Sequence, residues 1–130
     1  MTTPLWCLVL VMFLPYLLAF TGSYFKMRQF GKIDNKNPRQ QVAQLEGVGA
    51  RAAAAQANAW EALAMFTVAV VVLQLANPEA ARGSTAANLA MAFLAMRIAH
   101  AIFYLANIDI ARSLAFMIQV VCAVWLIALA

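Results

Sequence analysis

Four long apolar stretches divide this chain, and most of its polar residues collect between them. The stretches cover residues 5–25, 52–76, 86–106 and 110–130. Each has about the 20 residues that a helix needs to cross the hydrocarbon core of a bilayer. Because a backbone in hydrocarbon must satisfy its own hydrogen bonds, all four are expected to be α-helices. The pattern therefore predicts an all-α membrane protein, a four-helix transmembrane bundle in which residues 1–130 form a single domain.

The segments between the stretches carry turn and helix-start signals. Pro78 and Gly83 mark the second loop, and the third connection is a very short turn before Asp109, which can cap the fourth helix. The first loop, residues 26–50, is long and polar. Proline favours the first position of a helix, so Pro38 predicts that the second helix begins near Arg39 and extends beyond the membrane.

Composition supports a membrane protein and narrows its class. Hydrophobic residues make up 65% of the chain and charged residues 11%, against roughly 45–50% and about 25% in soluble proteins. The first stretch has no basic segment before it and runs into Lys26 and Arg28, which favours a retained helix over a secretory signal. Cys7 and Cys122 lie in apolar runs, so neither a disulfide framework nor a metal site is expected. Nucleic-acid binding requires a basic surface with base-reading or stacking groups, and the sequence shows none.

The basic residues predict the orientation in the membrane. The first loop and the start of the second helix hold six of them, namely Lys26, Arg28, Lys32, Lys36, Arg39 and Arg51. The second loop holds only Arg82. Because lysine and arginine accumulate in cytoplasmic loops, we expect the first loop and the third turn on the cytoplasmic side and both termini on the other.

Polar side chains inside the apolar stretches are the candidates for function. Arg97, His100 and Tyr104 stand at i, i+3 and i+7, which places them on one stripe of the third helix. An arginine at membrane depth costs about 2.5–3.5 kcal/mol on insertion scales, so it needs a partner or a task. Five further residues are predicted at similar depth: the second-helix set Arg51, Asn58 and Glu61, and the pair Arg112 and Ser113 at the start of the fourth helix.

The charges of this set suggest a binding site, although structural roles stay open. Glu61 is the only carboxylate within the spans and is the predicted partner of Arg97. The remaining arginines leave positive charge for a ligand with carboxylates. Alternatively, Arg97 and Glu61 form an ion pair that only fixes helix register, and Arg112 reaches the interface. In the same reading His100 is a histidine satisfied within the bundle, and Tyr104 belongs to an interfacial aromatic belt. Three glutamines are expected to form hydrogen bonds between helices: Gln56, Gln74 and Gln119.

These motifs resemble the MAPEG family, the membrane-associated proteins in eicosanoid and glutathione metabolism. Residues 51–66 read RAAAAQANAWEALAMF, and residues 97–106 read RIAHAIFYLA, with Arg112 and Ser113 following. Residues 34–39, DNKNPR, look like the first loop of bacterial members. The combination of Asn-x-x-Glu, Arg-x-x-His-x-x-x-Tyr and a downstream arginine is specific, and the resemblance spans all four helices.

The resemblance implies a homotrimer with glutathione bound between neighbouring protomers near the cytoplasmic side. It assigns glutathione binding to Asn58, Glu61, Arg97, His100 and Tyr104, to which the charge pattern adds Arg51. It assigns thiolate stabilisation to Arg112, with Ser113 at a position proposed for the same role in one branch. It also implies lipophilic small molecules from the bilayer as partners and, for a bacterial-type member, the inner membrane as location.

One departure from the family pattern concerns the cations of the pocket. Many glutathione-binding members carry an arginine immediately before the asparagine, where this chain has Ala57, and the often basic position three residues earlier is Ala54. Lys26, Arg28 or Arg39 are the candidates to replace that charge.

Three hypotheses about function follow. The first is a glutathione-dependent membrane transferase or peroxidase acting on lipophilic electrophiles or hydroperoxides, with the thiolate stabilised by Arg112. The second is a non-catalytic membrane protein of the same fold that binds a lipid or glutathione. The third is a structural protein whose ion pairs only lock a trimer. Formation of a thiolate distinguishes the first from the other two.

Overall fold

The computed structural model describes all 130 residues and contains only helices. They are α1 (Thr3–Phe30), α2 (Pro38–Ala43), α3 (Gly47–Ala76), α4 (Pro78–Arg82), α5 (Ser84–Ala106) and α6 (Asp109–Ala128). Four of them, α1, α3, α5 and α6, are long and apolar enough to cross a membrane. The predicted all-α architecture with four membrane helices is therefore confirmed.

The start of the second membrane helix differs from the expectation. Pro38 does begin a helix, but α2 ends at Ala43, and residues 44–46 separate it from α3. Gly47 then begins α3 with a positive φ of 54°, a conformation that glycine adopts without steric cost. The prediction of one continuous helix from Arg39 is wrong, because the chain turns at this glycine.

The third connection is as short as predicted, but its capping residue differs. Asn107 ends α5 in the left-handed conformation, with φ 61°. Ile108 occupies the N-cap position of α6. Asp109 instead lies in the first turn, where its Oδ1 accepts a hydrogen bond from the backbone N–H of Ile110 at 2.8 Å. A carboxylate at this place still stabilises the helix, because it lies at the positive end of the helix dipole.

The centre of the bundle is formed by α3 and α5, which pack against each other and against both α1 and α6. The larger apolar core lies toward the end that carries α4, where Phe66 and Phe93 stack with ring centroids 4.1 Å apart. A smaller apolar cluster near the other end consists mainly of small side chains: Leu18, Ala55, Ala59 and Ala101. Small residues let membrane helices approach closely. The helices are therefore closely packed at this end of the bundle as well.

The outer surface of the bundle is strongly apolar. Large hydrophobic side chains are exposed on all four long helices, among them Phe20 at 74%, Leu75 at 79% and Ile110 at 72%. Contiguous apolar surface on this scale is unfavourable in water, whereas lipid tails solvate it. The chain is an integral, multi-pass membrane protein.

The first loop is fixed by side-chain hydrogen bonds. Gln41 of α2 is buried, donates to the backbone carbonyl of Lys32 at 2.8 Å and accepts from the N–H of Asp34 at 3.0 Å. The carboxylate of Asp34 accepts hydrogen bonds from the backbone N–H groups of Asn37 and Lys36, and these bonds hold the pKa of Asp34 below its ordinary value. These hydrogen bonds therefore tie α2 to the loop that follows α1.

Candidate functional site

Arg97 of α5 is the polar centre of the bundle and is completely buried. It lies between the two apolar clusters, one turn from Phe93 on one side and from Ala101 on the other. Its Nη1 donates to Oδ1 of Asn58 at 2.9 Å and to Oε1 of Gln119 at 3.3 Å. Its guanidinium thereby connects α3, α5 and α6 through hydrogen bonds to neutral partners.

The other two nitrogens of the Arg97 guanidinium behave differently. Nη2 contacts Nδ1 of His100, one turn further along α5. Nε is buried and has no hydrogen-bond partner. A buried polar atom normally finds a partner. The guanidinium of Arg97 is thus an exception, because one of its N–H groups makes no hydrogen bond.

Gln119 fixes the α6 side of this network. Its amide nitrogen donates to the backbone carbonyls of Met96 and Ala115, both at 3.1 Å, which turns its oxygen toward Arg97. The prediction that this glutamine bonds between helices is confirmed. Its specific partner Arg97 was missed, because spacing along one helix carries no information about contacts with another.

The two other glutamines differ in whether they make the predicted hydrogen bond. Gln74 of α3 donates to the hydroxyl of Thr2 at the start of α1, so it bonds between segments as expected. Gln56 makes no side-chain hydrogen bond and instead lines a second cleft, described below. The expectation of an interhelical hydrogen bond is therefore wrong for Gln56.

Glu61 does not pair directly with Arg97. Its side chain is exposed, and its Oε2 accepts a hydrogen bond from Nδ2 of Asn58 at 3.4 Å. Asn58 stands between the two charges, because its Oδ1 accepts from Arg97 while its amide nitrogen faces the glutamate. The predicted buried ion pair is wrong. Glu61 and Arg97 are instead connected by hydrogen bonds through Asn58.

Arg112 at the start of α6 is held over an aromatic ring. Its guanidinium carbon lies 4.4 Å from the ring centroid of Tyr104, a distance at which cation and ring attract each other. The ring of Tyr104 in turn lies 5.6 Å from that of His100. A permanent positive charge is thus positioned beside the last turns of α5.

These residues line one open cleft of about 300 Å³, which we call the arginine cleft. Its lining residues are Asn58, His100, Tyr104, Arg112, Ser113, Phe116 and Met117. The volume is at the lower end of the range of roughly 300–1,000 Å³ that is typical of small-molecule sites. Five of the eight residues predicted as site residues are brought together here. Arg97 lies behind the cleft, and Phe116 and Met117 were not anticipated because apolar residues on a membrane helix do not stand out.

Arg51 lies outside the arginine cleft. Its Nε donates to the backbone carbonyl of Leu105 at 3.0 Å. Leu105 lies in the last turn of α5, where carbonyls have no partner within the helix. In the single chain Arg51 therefore joins the beginning of α3 to the end of α5, and ligand binding by Arg51 stays a prediction.

A second cleft of about 240 Å³ lies between α1, α2 and α3. Its polar lining comprises Ser23, Lys26, Arg39 and Gln56. Arg28, the third candidate for the missing charge, does not line it; its guanidinium donates to the hydroxyl of Tyr24 at 3.3 Å. We call this second site the loop cleft. It is the place where two cations of the first loop region meet the membrane bundle.

The arginine cleft combines a single charged group with several neutral polar groups. It offers one permanent cation, Arg112, with hydroxyl, amide and imidazole groups beside it. Ala54 and Ala57 are exposed on α3 and supply no charge. A ligand in this cleft therefore meets one positive charge, that of Arg112.

Comparison with known proteins gives one result. The model of the MAPEG family matches residues 3–130. No curated protein and no solved structure matches the chain significantly.

Proposed function

The chain belongs to the MAPEG family, and on this premise we propose that it is a glutathione-dependent membrane transferase or peroxidase for lipophilic electrophiles or hydroperoxides. Membership supports a glutathione-related activity of this type in a membrane. The observation that carries the specific proposal is the position of Arg112, whose charge is held over Tyr104 at the arginine cleft.

Arg112 supplies what thiol chemistry requires. A thiol with a pKa of about 8.5 is mostly protonated at neutral pH, and the thiolate is the nucleophile. The guanidinium is permanently charged and favours the thiolate electrostatically. Its place in the first turn of α6 adds the positive end of the helix dipole. The thiol proton passes to solvent, and the thiolate sulphur then forms a bond to the electrophile as the leaving group departs.

The second substrate is proposed to enter from the bilayer. Phe116 and Met117 are exposed on α6 and also line the arginine cleft. They extend the apolar outer surface to the place where the thiolate would lie. A lipophilic electrophile or hydroperoxide dissolved in the membrane thus reaches the sulphur without crossing water.

We propose that the protein assembles as a homotrimer with the first loop on the cytoplasmic side of a bacterial inner membrane. The arginine cleft and the loop cleft lie on different faces of α3, where Asn58 and Gln56 respectively line them. A closed ring joins two different patches of neighbouring copies, so it can bring the two clefts together. Native mass measurement in nanodiscs is expected to give three chains per particle; only monomers or dimers would contradict the assembly.

Lys26 and Arg39 are the proposed ligands for the carboxylates of glutathione. We expect Arg39→Gln to raise KM for glutathione up to about fivefold, and the double variant with Lys26→Gln up to about thirtyfold, since exposed charge pairs are each worth up to about 1 kcal/mol. Steady-state kinetics at varied glutathione would measure this, with kcat little changed. Arg28→Gln is the matched control, because Arg28 is engaged with Tyr24. An equal effect of all three changes would contradict a specific role of the loop cleft.

The second candidate function is non-catalytic binding of a lipid or glutathione. It is favoured by the single free cation of the arginine cleft and by the missing charges at Ala54 and Ala57. Ultraviolet difference absorbance separates the two functions, because bound thiolate absorbs and bound thiol does not. Saturable glutathione binding without this signal would support the binding protein.

A further inference from the structure

We propose that Gln119 and Arg97 are positioning residues that hold His100 in one neutral tautomer, with its hydrogen on Nε2. In this state His100 donates a hydrogen bond into the arginine cleft and cannot act as a general base. The tautomer follows from contacts within the chain. The choice of a bound thiol as acceptor rests on the proposed function.

The network begins at Gln119, which is completely buried. Its amide nitrogen has two hydrogens, and both are used by the carbonyls of Met96 and Ala115. Its oxygen must therefore be the atom that faces Arg97, as the 3.3 Å contact with Nη1 requires. Reversing the amide would place its hydrogens against a guanidinium, which accepts no hydrogen bond. The orientation of Gln119 is thus determined by its three partners.

Arg97 transmits this orientation to His100. Its Nη1 is held by Asn58 and Gln119, which leaves Nη2 directed at Nδ1 of His100. A guanidinium is always protonated and can only donate. Nδ1 must consequently be the acceptor, so it carries no hydrogen. A neutral imidazole with an unprotonated Nδ1 bears its hydrogen on Nε2.

Nε2 is the ring nitrogen of His100 that Arg97 does not engage. His100 is 3% exposed, yet it lines the arginine cleft together with Tyr104 and Phe116. The ring centroids of these two neighbours lie 5.6 Å and 6.5 Å from that of the imidazole, and both rings are tilted against it, by 55° and 52°. Chain hydrogen bonds of the imidazole are confined to the Arg97 contact. The Nε2–H group is therefore free to donate to an acceptor atom in the cleft.

This assignment divides the chemical work between two residues. Histidine often takes up a proton in catalysis, but here Nδ1 is occupied by Arg97 and Nε2 already carries its hydrogen. Arg112 supplies the charge that favours a thiolate, and His100 supplies a neutral hydrogen bond to the sulphur or to a carbonyl beside it. The proton of the thiol leaves to solvent and not to the imidazole.

The test uses the fact that His100 is the only histidine of the chain. ¹⁵N-histidine labelling of the full-length protein in nanodiscs gives the signals of one imidazole, and ring correlations distinguish Nε2 from Nδ1. Without ligand near neutral pH, we expect a single tautomer with hydrogen on Nε2. Hydrogen on Nδ1, an imidazolium, or an averaged mixture in the wild-type protein would overturn the proposal whether or not glutathione binds.

A variant separates positioning from general structural support. Gln119→Leu keeps a similar volume but removes the acceptor for Arg97, and is expected to give a mixture of tautomers. Gln74→Leu removes another interhelical glutamine far from His100 and is the control that keeps the wild-type spectrum. An unchanged tautomer in a folded Gln119→Leu variant would overturn the role of Gln119. If that variant does not fold, the wild-type spectrum still decides the tautomer.

Addition of glutathione tests the donor role. We expect the Nε2 signal to shift on binding while the Nδ1 signal stays in place. Saturable binding, measured by calorimetry, without any shift of Nε2 would overturn the contact with ligand but not the tautomer. Absence of glutathione binding would overturn the proposed function and this contact together, and the ligand-free spectrum would judge the tautomer alone.

Discussion

Replacement of Arg112 by alanine is expected to slow glutathione conjugation about 10²–10³-fold, the usual effect of losing one group that stabilises developing negative charge. The guanidinium is the one permanent cation that lines the arginine cleft, and it is held 4.4 Å from the ring of Tyr104. Glutathione affinity is expected to change much less, because the other polar residues of the cleft remain. Initial rates with a generic lipophilic electrophile and calorimetric binding would measure the two effects separately.

Two companion variants make this prediction specific. Arg112→Lys is expected to restore part of the rate, because a point charge remains while the planar fork of donors is lost. Arg82→Ala is the matched control, since Arg82 is exposed and ends α4, close to the opposite end of the bundle. Full activity of Arg112→Ala, or an equal loss in Arg82→Ala, would contradict the assignment of Arg112.

Replacement of Arg97 by alanine is expected to lower the free energy of unfolding by at least about 3 kcal/mol. Removal of a large buried side chain typically costs about 2–5 kcal/mol through lost contacts and the remaining cavity. The stranded oxygen of Gln119 adds about 1–3 kcal/mol if it stays unsatisfied. The interhelical hydrogen bonds themselves contribute less, about 0.6 kcal/mol each in membrane proteins. The loss of stability is therefore determined mainly by the cavity and by the unsatisfied oxygen of Gln119.

The contrast for Arg97 is Glu61→Ala, which is expected to change stability by less than about 1 kcal/mol. Glu61 is exposed and its contact with Asn58 is long, at 3.4 Å. Denaturant unfolding of both variants in the same detergent would measure the difference. A loss in Glu61→Ala as large as that in Arg97→Ala would indicate a buried ion pair and contradict the network described here.

The fold was largely predictable because its signal is local. Lengths of apolar sequence determine where a membrane helix can lie, and the observed ends of α1, α5 and α6 lie within five residues of the predicted ones. The break before α3 was not predictable from the same signal. It depends on the left-handed turn at Gly47 and on the contacts of Gln41, neither of which alters hydropathy.

The sequence predicted which residues form the candidate site better than it predicted which of them contact each other. Helical spacing correctly placed His100 and Tyr104 on one side of α5, and both line the arginine cleft. Depth in the membrane also grouped Glu61 with Arg97, but depth does not specify the direction around the helix axis. Asn58 faces inward on α3 and takes the place expected for Glu61. Contacts such as that of Gln119 depend on how α6 rotates against α5, which no single-helix pattern encodes.

The most direct test of the central claim is the ultraviolet difference spectrum of wild-type protein titrated with glutathione across pH. A cation that stabilises the thiolate lowers the pKa of the bound thiol, so thiolate absorbance is expected to appear at a pH well below that of free glutathione. Arg112→Ala should move the transition back toward the free value. Saturable binding with a transition at the pH of free glutathione would contradict thiolate stabilisation in the arginine cleft.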